Sequence, residues 1–104
     1  MTGVIEETNT EDDGDQHMLL KLDTGQDDLL NKKNMKKKTG DLVIEAVCAN
    51  KVKDRKVGKT CKGYVNNIEL PDVGAHVSVS GSYVIDTHNG WAEIHPISKI
   101  EVIK

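Results

Sequence analysis

The stretch Asp86-Thr87-His88-Asn89-Gly90-Trp91-Ala92-Glu93-Ile94-His95-Pro96 is the most informative part of the chain, setting two histidines and two carboxylates around a tryptophan. In an extended strand side chains alternate between faces, so Trp91, Glu93 and His95 share one face and Ala92 and Ile94 the other. The same rule sets His17 opposite Met18, Leu20 and Leu22, and Glu45 opposite Ile44 and Ala46. If the strands carrying these residues close a barrel, His17, Glu45, Glu93 and His95 converge on one face. Two imidazoles and two carboxylates suit Zn²⁺ or Mn²⁺. The same four groups also suit a hydrogen-bonded His–Glu network that fixes strand register, a reading that asks for no ion.

Asp13 and Asp15 lie beside His17 on the first hairpin loop, near the place His88 should reach in a small barrel. A cation there would lower the pKa of a bound water. Asn9, Glu11, Asp13 and Gly14 partly mimic a calcium loop, but the twelfth position, which needs a bidentate Glu, is Leu20. That excludes an EF-hand. It leaves a carboxylate-rich turn that takes a hard cation such as Ca²⁺ weakly, or a merely solvated acidic turn. Gly58-Lys59-Thr60 ends like a phosphate-binding loop, yet Lys53 stands where the first Gly belongs. No Ser or Cys has an obvious general base.

Cys48 and Cys61 have twelve residues between them and no C-x-x-C, which excludes a zinc ribbon and a thioredoxin motif. The pair reads as two buried free thiols or as a disulfide. A bridge would contribute about 3 kcal/mol, in an oxidising compartment only.

The elements that must position these groups are mostly strands, because period-two patterns and turn signals dominate. Strands are expected at 2–9, 16–23, 41–49, 76–86 and 91–95, with Pro96 interrupting the last and 97–103 continuing it as an edge. A short helix is expected within 27–38, capped by Asp27 or Asp28, with Lys36–Lys38 at its dipole-favoured end and Gly40 stopping it. Residues 50–62 read as a basic loop, Tyr64 to Leu70 as extended, and Pro71-Asp72-Val73-Gly74 as a turn. Gly81 marks a bulge and Asn89-Gly90 a hairpin. Five principal strands in this order give an all-β fold with one short helix, a five-stranded OB-like Greek-key barrel. A small β-sandwich is the runner-up.

At 104 residues the chain suits a single domain, 1–104. Charged residues make up 30% and apolar ones 37%, polar for a globular chain but short of disorder. No apolar run is long enough to span a membrane as a helix, and Met1 to Glu11 lack the build of a secretory signal. On that reading the protein is cytoplasmic or its leader is missing. The net charge of -3 hides segregation: residues 1–30 carry -8, residues 31–62 carry +8 and residues 63–104 carry -3. Such asymmetry marks an interaction surface or simply solvated loops on opposite sides of a barrel.

Taken together, TGVIEE, DGDQH, GDLVIEAVCA and HVSVSGSYVID, with the closing GWAEIHP, resemble a family of small bacterial and archaeal domains. Its members end in a D-x-x-H-x-G-W-x-E-I-H-P-type signature, met here by Asp86 to Pro96 with one residue fewer between Asp86 and His88. The likeness spans residues 2–100 and is most specific over GWAEIHP. It implies an OB-like fold and brings no activity. Members often follow an export signal, which implies an extracytoplasmic home and the Cys48–Cys61 disulfide.

Three functions remain to be weighed. A non-catalytic binding or accessory module, whose acidic and His-bearing end takes a divalent cation (Zn²⁺, Mn²⁺ or Ca²⁺), a ligand or a protein partner, asks least of the sequence. A metal-dependent hydrolase or nuclease is the enzymatic alternative. Nucleic acid at the usual OB groove is disfavoured, because the first hairpin loop holds Glu11, Asp12, Asp13 and Asp15 and only three aromatics exist to stack on bases. The eleven bases of 31–62 could instead contact a polyanion.

Overall fold

The computed structural model describes residues 1–11, 14–48 and 69–103. Its strands are β1 (Thr2–Thr10), β2 (Gln16–Leu22), β3 (Leu42–Ala46), β4 (His76–Ile85) and β5 (Ala92–Val102). They close a barrel in the order β1-β2-β3-β5-β4, with β4 returning to β1. Among the described residues only β3 and β5 pair in parallel. This is the expected OB-like Greek-key barrel.

Alternation builds the core. Met18 and Leu20 of β2, Leu42, Ile44 and Ala46 of β3, Val77 and Val79 of β4, and Ala92 and Ile94 of β5 are all buried inside the barrel. Because β3 lies between β2 and β5, the outward residues of the three strands form neighbouring columns. His17 pairs directly with Glu45 across β2 and β3, and Val43 pairs with Glu93 across β3 and β5. That placement decides where the polar cluster forms.

The expected single helix within 27–38 needs correction. A 3₁₀ turn covers Asp27–Leu29, and a separate helix α1 covers Lys32–Lys37. Leu30 is extended between them, and Asn31, not Asp27 or Asp28, caps α1 by accepting from the amides of Lys33 and Asn34. Asn34 returns the bond to the Asn31 amide, which completes a capping box. The third strand also ends earlier than expected: Cys48 lies in the turn beyond it with φ of 55°.

Pro96 does not interrupt the fifth strand. β5 runs through it, the His95–Pro96 peptide bond being cis. The proline faces the irregularity in β4, where the ladder register shifts on both sides of Gly81. A Cβ on Gly81 would press on the Pro96 carbonyl and lie 3.0 Å from Ile97 Cα. Gly81→Ala should therefore destabilise the barrel by about 1–3 kcal/mol in urea unfolding, since backbone cannot yield as a side chain does. An unchanged midpoint would refute the close approach. The turn at 71–74 is present, with Gly74 at φ of 93° and the Ala75 amide bonded to the Asp72 carbonyl. The basic loop at 50–62, residues 64–68 of the expected extended stretch, Asp13 and Cys61 lie outside the described residues.

Candidate metal centre

Three ligand-bearing side chains come together on the outer face of the barrel. One carboxylate oxygen each of Asp15 and Glu45 and one ring nitrogen of His95 lie within 4.8 Å of one another. Asp15 immediately precedes β2, Glu45 is on β3 and His95 on β5, so the loop into one strand and the two strands beside it each supply one group. The local chain fixes them firmly. Asp15 is buried and its Oδ1 accepts from the Cys48 amide at 2.8 Å. Its carbonyl accepts from the Glu11 amide, with Gly14 at φ of 93° tightening the turn.

His95 stands between two glutamates. Its Nε2 is 3.3 Å from Glu45 Oε2, and its Nδ1 is 3.4 Å from Glu93 Oε1. Glu93 is buried, and its other oxygen accepts from Trp91 Nε1 at 3.2 Å. Trp91, Glu93 and His95 thus form a chain along one face of β5. Trp91 is half-buried, and Lys38 Nζ sits 4.4 Å from its ring centroid. Lys37 is further off at 5.9 Å and reaches the Asn89 carbonyl. The C-terminal end of α1 therefore closes over this face.

Burial pushes the Glu45 carboxyl up to about 7, opposed by His95 and reinforced by the negative charges of Asp15, Glu93 and Glu11. His17 is shifted the other way: burial holds it below its ordinary value of 6.5, and Lys38 adds to that against the pull of Glu11, Glu93 and Glu7. His17, Glu45 and Glu93 line a cleft of about 470 Å³ together with Glu11, Lys38 and Trp91. The site thus holds several carboxylates, of which Glu45 is the one that burial makes reluctant to ionise, with an imidazole among them.

The sequence-derived candidates separate into groups. Asp15, Glu45 and His95 form the tight cluster; Glu93 touches His95 from its far side; His17 faces Glu45 from β2. His88 is exposed on the hairpin turn, where its backbone amide donates to Asp86 Oδ1 at 2.7 Å, and it does not line the cleft. Asp86 and Asn89 of the same turn do line it, together with Glu11 and His17. Two hydrogen bonds from Asn89 complete that turn and, with the His88 amide, hold the Asp86 carboxyl below its ordinary range. Asp13 is outside the described residues. Sequence reasoning missed Lys38, whose place over Trp91 depends on where α1 ends.

Trp91→Ala removes a cation–π contact and a hydrogen bond to a carboxylate without opening the core. It should cost about 1–2 kcal/mol by urea unfolding. A loss above about 3 kcal/mol would instead make Trp91 a core anchor.

No family model matches the chain, and no curated protein or solved structure matches it.

Proposed function

We propose that this barrel is a non-catalytic binding module that holds one divalent cation, Zn²⁺ or Mn²⁺, through Asp15, Glu45 and His95. The observation that carries the reading is the convergence of these three ligand atoms within 4.8 Å. Two ligands on a tetrahedral Zn²⁺ at about 2.0–2.1 Å sit roughly 3.3 Å apart, which agrees with the 3.3 Å between His95 Nε2 and Glu45 Oε2. Glu93 then acts through His95. By accepting from Nδ1–H it presents the Nε2 lone pair to the ion, and Trp91 holds Glu93 in turn. A cation would also relieve the repulsion among Asp15, Glu45 and Glu93.

Calorimetric titration of chelator-stripped protein at pH 7.5 tests this. The parent should bind one equivalent of Zn²⁺ or Mn²⁺. His95→Ala should weaken binding by at least about 100-fold, because a tetrahedral site loses one of few protein ligands. His76→Ala should leave it unchanged. Absence of heat in the parent, or equal binding by both variants, would refute the site. Affinity should fall below pH 7, since protons compete with the metal for Glu45.

One observation favours a hydrolytic second reading. His17, held neutral at pH 7, shares the cleft with Glu45, where it could take a proton from a metal-bound water. Metal-dependent turnover of phosphate esters that His17→Gln abolishes would support it. The family likeness, the extracytoplasmic home and the Cys48–Cys61 disulfide belong to the same proposal. A thiol count on unfolded, unreduced protein should find none, whereas two would remove the disulfide.

A further inference from the structure

A second cleft is separate from the cation cluster and shares no residue with it. It has a volume of about 800 Å³, and its walls include Glu6 and Asp41 beside Leu22, Leu30 and Met35. Asp41 is only 3% exposed, and its Oδ2 is buried without a hydrogen-bond partner. Its backbone is fixed on both sides, the amide donating to Lys38 and the carbonyl accepting from Asn34 Nδ2. These bonds hold the Asp41 main chain in place just ahead of β3.

Glu6 sits at the bulge of β1, where the register with β2 jumps from Ile5 to Glu7. A residue left out of the ladder is free of the usual alternation, and Glu6 lines the same cleft as Asp41. Two facing carboxylates repel unless a proton or a cation lies between them. Lys21 and Lys32 also line the cleft, but neither forms an ion pair with Glu6 or Asp41 among the described residues. The neighbouring apolar wall is open, with Met35 61% exposed. A buried acceptor without a donor, set beside exposed hydrocarbon, calls for a ligand that has both characters.

We propose that this cleft binds an organic monocation with a short apolar body, its ammonium between Glu6 and Asp41 and its hydrocarbon against Leu22, Leu30 and Met35. A bare divalent ion would leave that apolar wall unused. Burial, then the nearby Glu6 charge, push Asp41 up to about 6, with Lys21 opposing and Glu7 adding to the rise. Above that pH Asp41 is ionised and the cation is held; below it, a proton on Asp41 displaces the cation.

The probe is n-butylammonium chloride, titrated at pH 7.5 and followed by backbone amide NMR. Saturable shifts are expected at Leu22, Leu30, Met35 and Asp41, in the millimolar range suited to so few heavy atoms. Glu6→Gln should weaken binding at least about 10-fold, through loss of a charged acceptor. Glu6 is exposed on the bulge, so that variant keeps the fold where a change at Asp41 endangers it. Neutral n-butanol should bind at least about 10-fold more weakly than n-butylammonium, and Glu45→Gln should bind the amine like the parent. Equal binding of n-butanol, an unchanged affinity in Glu6→Gln, or no saturable shift would each overturn the proposal.

Discussion

Asn34→Ala is expected to be the most damaging single substitution, costing about 3–5 kcal/mol. The Asn34 side chain is completely buried, and all four of its hydrogen-bonding positions are used. Its Nδ2 donates to the carbonyls of Asp41 and Ala92, and its Oδ1 accepts from the amides of Ala92 and Asn31. One side chain thereby ties α1 to the first residue of β5 and to the residue before β3. Alanine would strand three buried backbone groups on Asp41 and Ala92, at about 1–3 kcal/mol each before any water enters. Against a usual domain stability of about 5–15 kcal/mol, the Tm should fall by roughly 15–25 °C. Asn34→Asp should also destabilise, because it keeps the acceptors and loses both donors. A calorimetric Tm within a few degrees of the parent for either variant would show that the clamp contributes little.

Glu45→Gln should reverse the order of stabilities according to metal. The folded-state pKa of Glu45 is raised to about 7 from an ordinary 4.5, chiefly by burial. The folded protein therefore holds this proton more tightly than the unfolded chain does. The penalty for ionising it is absent below pH 4.5, grows as pH rises through that interval, and is complete above about 7. At pH 8 with chelator, Glu45→Gln should be more stable than the parent by up to about 3 kcal/mol, and at pH 4 the two should agree. With Zn²⁺ at 100 times the dissociation constant the parent gains about 2.7 kcal/mol, a gain that the amide forfeits. Urea unfolding at both pH values, with and without metal, reads all four cases. A variant less stable than the parent at pH 8 in chelator would mean that the ion pair with His95 outweighs burial.

Much of the frame of this site was legible in the chain. Alternation put Glu93 and His95 on one face and set His17 and Glu45 opposite the buried sets of their own strands, and the expected barrel brought those faces together. What alternation cannot supply is which ring nitrogen meets which carboxylate, or that Glu93 is turned toward Nδ1 while Glu45 meets Nε2. Those depend on rotamers, and rotamers depend on packing. The helix was misjudged for an instructive reason. Two asparagines weaken a helix by propensity, yet here Asn31 caps it and Asn34 anchors its buried side. Pro96 misled in the same way: a residue that breaks central strands sits here opposite the Gly81 bulge, where the ladder is already irregular. The turn that carries His88 reaches the cleft through Asp86 and Asn89, a choice of side chain that its place in the sequence does not specify. The Glu6–Asp41 pair had no signature at all, since a bulge in β1 creates it.

The central claim is that His95, and no other of the four histidines, shares a divalent cation with Asp15 and Glu45. Histidine-ring ¹⁵N NMR during Zn²⁺ titration of stripped protein at pH 7.5 addresses it directly. The account predicts that the His95 Nε2 resonance moves to a metal-bound position and stops at one equivalent, while His76 and His88 stay where they were. A His95 ring that does not respond, or four rings drifting together over several equivalents, would contradict it.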